Sequence, residues 1–169
     1  AGNAPGILTK ACVSYLPERT YLPDTVRIRE LVSFFSDFYA DFDRQKALSM
    51  LDTLRLSPDS PLKTLSKGSR EKVQLIMVMS RRAKLYILDE PIAGVDPAAR
   101  DFILKTIIQD YQEDASVLLS THLISDIEPI LDDVIFLKEG RLLLTSSVED
   151  IRDTEHKSVD AYFREVFSC

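Results

Sequence analysis

The stretch LYILDEPIAGVDP, residues 85–97, decides the fold. It opens with a near-continuous apolar run that ends in a carboxylate, which is typical of a strand covered on both faces in a parallel sheet. Asp96 followed by Pro97 predicts a capped helix that reaches about residue 110. The segment therefore predicts a buried strand, a loop and a helix in direct succession.

Strands and helices also alternate on either side of this segment. Residues 11–16 predict a strand, residues 116–120 (SVLLS) predict another buried strand, and a helix is expected from about 123 to 131. This order predicts an α/β fold with a mostly parallel sheet. Ligands of such sheets bind at the carboxyl ends of the strands. Asp89, Glu90 and the trio at 120–122 should therefore share one rim.

Two amphipathic helices and one longer helix are predicted between the first strand and residue 85. The first spans about 25–39 and the second about 43–54, and the third begins near Ser66. Their apolar positions are Ile28, Leu31, Phe34, Phe35 and Phe38 on the first, Ala47, Leu48, Leu51 and Leu54 on the second, and Val73, Ile76 and Met77 on the third. Residues 133–145 predict a hairpin that turns at Gly140, and the tail over 148–167 predicts two short helices.

Composition excludes several classes of function. A net charge of −6 disfavours binding to nucleic acid, because that affinity depends on clustered Lys and Arg. The two cysteines, Cys12 and Cys169, have neither zinc-site nor disulfide spacing, which favours a reducing, cytosolic setting. No apolar run approaches the roughly 20 residues of a membrane span, so we expect membrane contact only through a partner. Residues 1–10 are interpreted as a linker or a truncated edge.

A pair of adjacent carboxylates follows the strand at 85–89. Asp89 at the strand tip suits a magnesium ion held mainly through water, and Glu90 could polarise a water beside a phosphoryl group. A strand that ends in Asp-Glu is also common at a solvated loop start. The motifs around the pair distinguish a magnesium site from a solvated loop start.

Four motifs supply that context. LSKGS (65–69), LYILDEP (85–91), GVDP (94–97) and STH (120–122) occur in an order and at intervals that closely resemble the ATP-binding cassette (ABC) ATPases. That family usually carries LSGGQ as its signature, so Lys67 and Ser69 depart from its pattern. The resemblance covers about residues 11–167 and implies a P-loop NTPase-like, incomplete domain over 11–169, with a helical subdomain at about 25–82 and a C-terminal hairpin plus helices.

The resemblance implies ATP and Mg²⁺ as cofactors and assigns roles to single residues. Asp89 would help to hold Mg²⁺, Glu90 would be the general base, and His122 would contact the terminal phosphate. Glu18 stands where the family has the glutamine of its Q-loop; a carboxylate can bind magnesium or water but cannot donate as an amide does.

Other implied roles concern partners. Ser66 and Gly68 would close on nucleotide held by a second ABC ATPase subunit, and Asp96 would lie in the loop that communicates across that dimer. The helical subdomain would grip a coupling element of a membrane-spanning transporter subunit. The chain would thus lie at the cytoplasmic face of the membrane through its partner.

One family motif is not found in the sequence. The phosphate cradle GxxxxGK[ST] does not occur, since none of the five glycines, at positions 2, 6, 68, 94 and 140, is followed by Lys. By resemblance the chain is an ATPase subunit of a transporter, but alone it should be inactive. Truncation, a separate amino-terminal piece and a non-catalytic docking or regulatory module remain as alternatives. A role on ribosomes or chromosomes is disfavoured by the acidic charge.

Overall fold

A computed structural model describes residues 4–93, 95–110 and 114–167. The chain divides into two compact units, residues 1–121 and 122–169. The helices are α1 (Ile7–Cys12), α2 (Ile28–Phe38), α3 (Arg44–Thr53), α4 (Lys67–Met79), α5 (Pro97–Asp110), α6 (Ile124–Ile127), α7 (Val148–Glu155) and α8 (Val159–Phe167), with 3₁₀ turns at Leu62–Thr64 and Glu128–Ile130. The strands are β1 (Val13–Leu16), β2 (Leu85–Asp89), β3 (Ser116–Ser120), β4 (Asp133–Lys138) and β5 (Arg141–Ser147).

The first unit contains a parallel sheet in the order β1-β2-β3, which confirms the predicted α/β fold. The central strand, β2, buries Tyr86 and Leu88 completely. The prediction that β3 is buried was wrong: its residues are partly or fully exposed, and Leu118 is 49% exposed. Within the described part of the chain β3 pairs only with β2, so its outer edge gains no cover from a further strand.

The start of the chain differs from its prediction. Residues 7–10, interpreted as part of a linker, are helical, and β1 begins at Val13 instead of residue 11. A local contact at the start of α1 explains this difference: Thr9 Oγ1 accepts a hydrogen bond from Gly6 N at 2.7 Å. Such a contact satisfies a backbone donor that the first helical turn leaves without a partner.

Helices α2, α3 and α4 enclose an apolar core beside the sheet. Met77 is buried there, and Met79 is buried as well, as predicted. Phe34 and Phe38 are not: they are 58% and 68% exposed, and their rings stack on each other at 5.7 Å. The three-and-four spacing of α2 therefore combines a buried stripe with an aromatic pair on the surface. The buried members of this core include Ile28, Leu31, Val32, Phe35, Ala47, Leu51, Leu62, Val73 and Ile76.

A buried arginine ties the helical region to the sheet. The Arg81 guanidinium donates to the carbonyls of Val13, at 2.6 Å, and Ala11, at 2.8 Å. It also donates to both carboxylate oxygens of Asp41 at 3.0 Å. Only 4% of the Arg81 side chain is exposed. A buried cation is tolerated when it is paired and hydrogen-bonded, as here.

The second unit contains the predicted hairpin. β4 and β5 pair antiparallel, and the turn between them places Glu139 and Gly140 at φ 51° and 73°. Two consecutive positive φ values match the twist of a tight hairpin, which confirms the predicted turn. The predicted helix over 123–131 is shorter, because α6 ends at Ile127 and a 3₁₀ turn containing Pro129 follows.

Candidate functional site

A narrow cleft lies at the carboxyl ends of β1 and β2. Its volume is about 30 Å³, and its polar lining comprises Glu18, Thr20, Glu71, Gln74, Asp89 and Glu90. Three residues singled out from the sequence, Glu18, Asp89 and Glu90, are therefore brought together. This position agrees with the rule that parallel sheets bind ligands beyond the carboxyl ends of their strands.

Pairing between β2 and β3 holds Asp89 in place. Asp89 and Ser120 are partners in the parallel register, and Ser120 Oγ donates a 2.5 Å hydrogen bond to Asp89 Oδ1. The backbone N–H of Glu90 lies 3.1 Å from Ser120 O and 3.2 Å from Ser120 Oγ. One serine thus orients the carboxylate and fixes the chain immediately after the strand.

Glu90 has an unusual backbone conformation. Its φ is 48°, in the left-handed region that residues with a side chain rarely adopt. Such a conformation costs roughly 1–3 kcal/mol and tends to occur at functional sites. Both residues of the carboxylate pair line the cleft.

The signature segment forms the start of α4. Ser66 is the N-cap: its Oγ accepts from Ser69 N at 3.2 Å and lies 2.9 Å from Ser69 Oγ. Ser69, which departs from the family's pattern, is therefore a partner of Ser66. The N–H groups of a first helical turn have no intrahelical acceptors, and together with the helix dipole they favour an anion.

Gly68 and Asp96 lie close together. A side-chain carbon at position 68 would stand 3.4 Å from Asp96 Oδ2. The Asp96 carboxylate therefore lies beside the first turn of α4, where negative charge is favourable. The loop after β2 and the signature turn, to which the resemblance assigns separate roles, are therefore neighbours.

Glu71 connects this turn to the cleft. Its Oε1 lies 3.7 Å from Lys67 Nζ, while its side chain is about a quarter exposed. Burial raises the pKa of the Glu71 carboxyl, and the charge of Asp96 adds to that increase against the opposing effect of Lys67.

His122 belongs to the second unit and is exposed at its beginning. The predicted contact of His122 with a terminal phosphate stays a prediction. Among the described residues no group of three or more His, Cys, Asp and Glu side chains is arranged to hold a metal ion. Asp89 therefore fits Mg²⁺ only where water and phosphate oxygens supply most of the ligands, which is the coordination that Mg²⁺ favours.

Sequence reasoning missed three polar residues of the cleft, Thr20, Glu71 and Gln74. For Gln74 a signal exists in VQLIMVM, residues 73–79, where it is the one polar residue of an apolar helical run. Buried polar side chains carry a desolvation cost, so such an interruption indicates a hydrogen-bonding role.

Comparisons with known proteins agree with this geometry. A family profile described as "ABC transporter" matches residues 7–93. An uncharacterized ABC transporter ATP-binding protein of Methanocaldococcus jannaschii is 31% identical over 144 residues, covering 82% of this chain and 55% of the relative. The ABC transporter ATP-binding protein YtrB of Bacillus subtilis is 24% identical, covering 85% of this chain and 50% of the relative.

A solved structure described as the ATP binding subunit of an ABC transporter superposes with a TM-score of 0.82 at 26% identity. It covers 93% of this chain, while the chain covers 69% of it. The chain spans about half the length of the curated relatives it matches. In the part of the chain that the structure describes, every helix is too short or too polar to cross a bilayer.

Proposed function

Because the chain belongs to the ABC transporter family of ATP-binding proteins, we propose that it supplies the catalytic carboxylates and the signature helix of a transporter ATPase. One observation carries the proposal: Asp89 and Glu90 line one cleft at the end of β2, and Ser120 fixes Asp89 there. Phosphoryl transfer depends mainly on positioning and charge neutralisation. This arrangement positions Glu90, and Mg²⁺ held by Asp89 would neutralise phosphate charge.

The carboxylates have different roles in this reaction. Asp89 would hold Mg²⁺, which neutralises phosphate charge when it is bound. Glu90 takes a proton from the water whose oxygen attacks the terminal phosphorus of ATP. A bond from that oxygen to phosphorus forms while the bond from phosphorus to the leaving ADP oxygen breaks. By the family resemblance, His122 would contact the terminal phosphate and stabilise the charge there.

The signature turn acts on the opposite side of the nucleotide. Ser66 and the N–H groups of the first turn of α4 would bind the terminal phosphate of ATP held by a second ABC subunit, since a helix N-terminus favours an anion. Asp96, beside Gly68, would transmit that contact to the loop after β2. Because GxxxxGK[ST] does not occur in the 169 residues, the chain requires a phosphate cradle from elsewhere.

The membrane-spanning subunit would dock on the helical region at about 25–82. The exposed, stacked rings of Phe34 and Phe38 provide an apolar contact there. Exposed aromatic side chains are enriched at protein interfaces. This contact would hold the chain at the cytoplasmic face of the membrane.

The test uses the 169-residue chain alone and a fused protein, in which a segment bearing GxxxxGK[ST] from a related ABC subunit is joined ahead of residue 1. We expect magnesium-dependent ATP hydrolysis by the fused protein and none by the 169-residue chain. Glu90→Gln should abolish it, whereas Glu149→Gln, an exposed glutamate on α7, should not. Undiminished activity of the Glu90→Gln protein would contradict the proposal. An inactive fused protein would favour a docking module that keeps the fold without the chemistry.

A further inference from the structure

Gln74 is a buried polar side chain in the wall of the cleft. It lies on α4 and is 3% exposed. Its Nε2 donates a long hydrogen bond of 3.4 Å to Pro17 O. Its Oε1 is buried and receives no hydrogen bond from any group in the described part of the chain. Buried side-chain oxygens are normally satisfied by protein or by ordered water, so this acceptor calls for a donor.

The cleft can provide that donor as water. A site holds a water when about 10–15 Å³ is accessible to the water and several polar groups surround it. The cleft offers about 30 Å³, and Glu90 and Asp89 line it together with Gln74. Gln74 and Glu71 are three residues apart on α4 and therefore project from the same face of the helix. Glu71 Oε2 likewise accepts no hydrogen bond from the residues that the structure describes.

We propose that Gln74 positions the water on which Glu90 acts: Gln74 Oε1 accepts one hydrogen of a water in the cleft, and the Glu90 carboxylate accepts the other. A water held by two acceptors directs a lone pair away from both of them, toward the electrophile. The amide oxygen stays unprotonated near neutral pH, so it orients the water without competing for the proton that Glu90 takes.

This inference rests on the proposed function and deepens it. The family's pattern places an amide at the position that Glu18 occupies, and Glu18 lines the same cleft as Gln74. Two carboxylates facing one water would both accept its hydrogens and repel each other. An amide on α4 avoids that repulsion, because it supplies an acceptor without charge.

The first test detects the water in the 169-residue chain itself. Nuclear Overhauser effects (NOEs) between water and the side-chain amide protons of Gln74 should show a long-lived contact. Gln109, an exposed glutamine on α5, is the matched control and should show only fast exchange. Because this measurement needs neither nucleotide nor turnover, it stands apart from the proposed ATPase activity. If Gln74 shows no long-lived contact with water, the inference is overturned.

The second test separates positioning from structure. Gln74→Met keeps the volume but removes the amide acceptor. In the fused protein we expect kcat to fall about tenfold while KM for ATP stays unchanged, with resistance to urea equal to or above that of the parent. A merely structural glutamine would instead lower resistance to urea and leave kcat unchanged, and that outcome would overturn the inference. Gln109→Met should change neither quantity. If the parent fused protein itself does not hydrolyse ATP, the proposed function fails, and the NOE measurement alone decides whether Gln74 holds water.

Discussion

Ser120 Oγ and Asp89 Oδ1 lie 2.5 Å apart, joined by a hydrogen bond between neighbouring strands. The serine is the last residue of β3 and the aspartate is the last residue of β2. A carboxylate that accepts a short hydrogen bond from a hydroxyl is held in one orientation. The parallel register thus contributes directly to the preorganisation of the cleft.

Ser120→Ala should therefore impair catalysis more than folding. Loss of one hydrogen bond to a charged group corresponds to about 1.5 kcal/mol, or roughly a tenfold decrease in turnover by the fused protein. The measurement is steady-state ATP hydrolysis. Ser116→Ala, at the opposite and exposed end of β3, is the control and should leave turnover unchanged. Equal rates for the two variants would show that Asp89 is oriented by other contacts.

Arg81→Lys should destabilise the chain strongly. Lysine keeps the charge but lacks the planar fork that reaches Val13 O, Ala11 O and both oxygens of Asp41. Each bond that lysine cannot replace contributes about 1.5–3 kcal/mol, because its donor is charged, and the loss is measurable by urea denaturation.

Arg82→Lys is the matched control for that prediction. Arg82 pairs with Asp43 at 2.9 Å, but 64% of the Arg82 side chain is exposed. An exposed pair contributes about 0–1 kcal/mol, so this variant should unfold at nearly the parent urea concentration. Similar losses for both variants would contradict the anchoring role of Arg81.

Asp43→Ala should remove the cap of α3. Asp43 Oδ1 accepts from Lys46 N at 3.0 Å, and that bond, followed by the bond from Arg82, lowers the pKa of the Asp43 carboxyl. The alanine variant should lose about 1 kcal/mol in urea denaturation, whereas Asp43→Asn keeps the acceptor and should lose less. Because the pKa of Asp43 is lower in the folded chain, its ionised carboxylate stabilises the fold at pH values above the pKa of the unfolded chain. The stability lost in Asp43→Ala should therefore become smaller as acid protonates Asp43 in the parent. A loss independent of pH would contradict the ionic part of this account.

The stability of the Glu71→Gln variant relative to the parent should increase as pH rises. The pKa of Glu71 is raised in the fold, mainly by burial, so the unfolded chain loses this proton at a lower pH than the folded chain does. Stability therefore decreases as pH rises from the unfolded-state value through the higher folded value. Glutamine does not titrate and escapes this decrease. In thermal unfolding, the difference in Tm between Glu71→Gln and the parent should increase with pH. Glu149→Gln should show no such increase.

Phe34→Ser combined with Phe38→Ser tests the docking surface on α2. Both rings are more than half exposed, so their loss should leave the unfolding midpoint nearly unchanged. Copurification with the membrane-spanning subunit of the transporter should be lost. Ile108→Ser, which replaces another exposed apolar residue on α5, is the control for reduced surface apolarity. Retained copurification in the double variant would exclude this pair as the contact.

Local signals explain which parts of the fold could be predicted. The strand at β2, the start of α4 near Ser66 and the Gly140 turn each depend on residues close together in sequence, and the structure confirms all three. The exposure of β3 and of Phe34 could not be read in this way, because it depends on which elements cover each face.

The candidate site shows the same division. Asp89 and Glu90 were found because they stand at the end of a predicted strand, and the ends of parallel strands converge. Glu18 was found through the family resemblance. Gln74 interrupts an apolar run in the sequence, but it reaches the cleft from the middle of a helix, so only the packing of α4 shows which site it joins. The roles assigned to Ser66, Gly68, Asp96 and His122 toward nucleotide stay predictions.

The outer edge of β3 should make self-association of the chain depend on its concentration. Backbone donors and acceptors along that edge have no strand partner among the described residues, and Leu118 adds apolar surface beside them. Any extended peptide of matching polarity is a complement to such a row. In dilute solution water forms hydrogen bonds with those groups. At high concentration two β3 edges can form backbone hydrogen bonds with each other. A short strand-forming peptide that binds this edge should therefore reduce self-association of the chain.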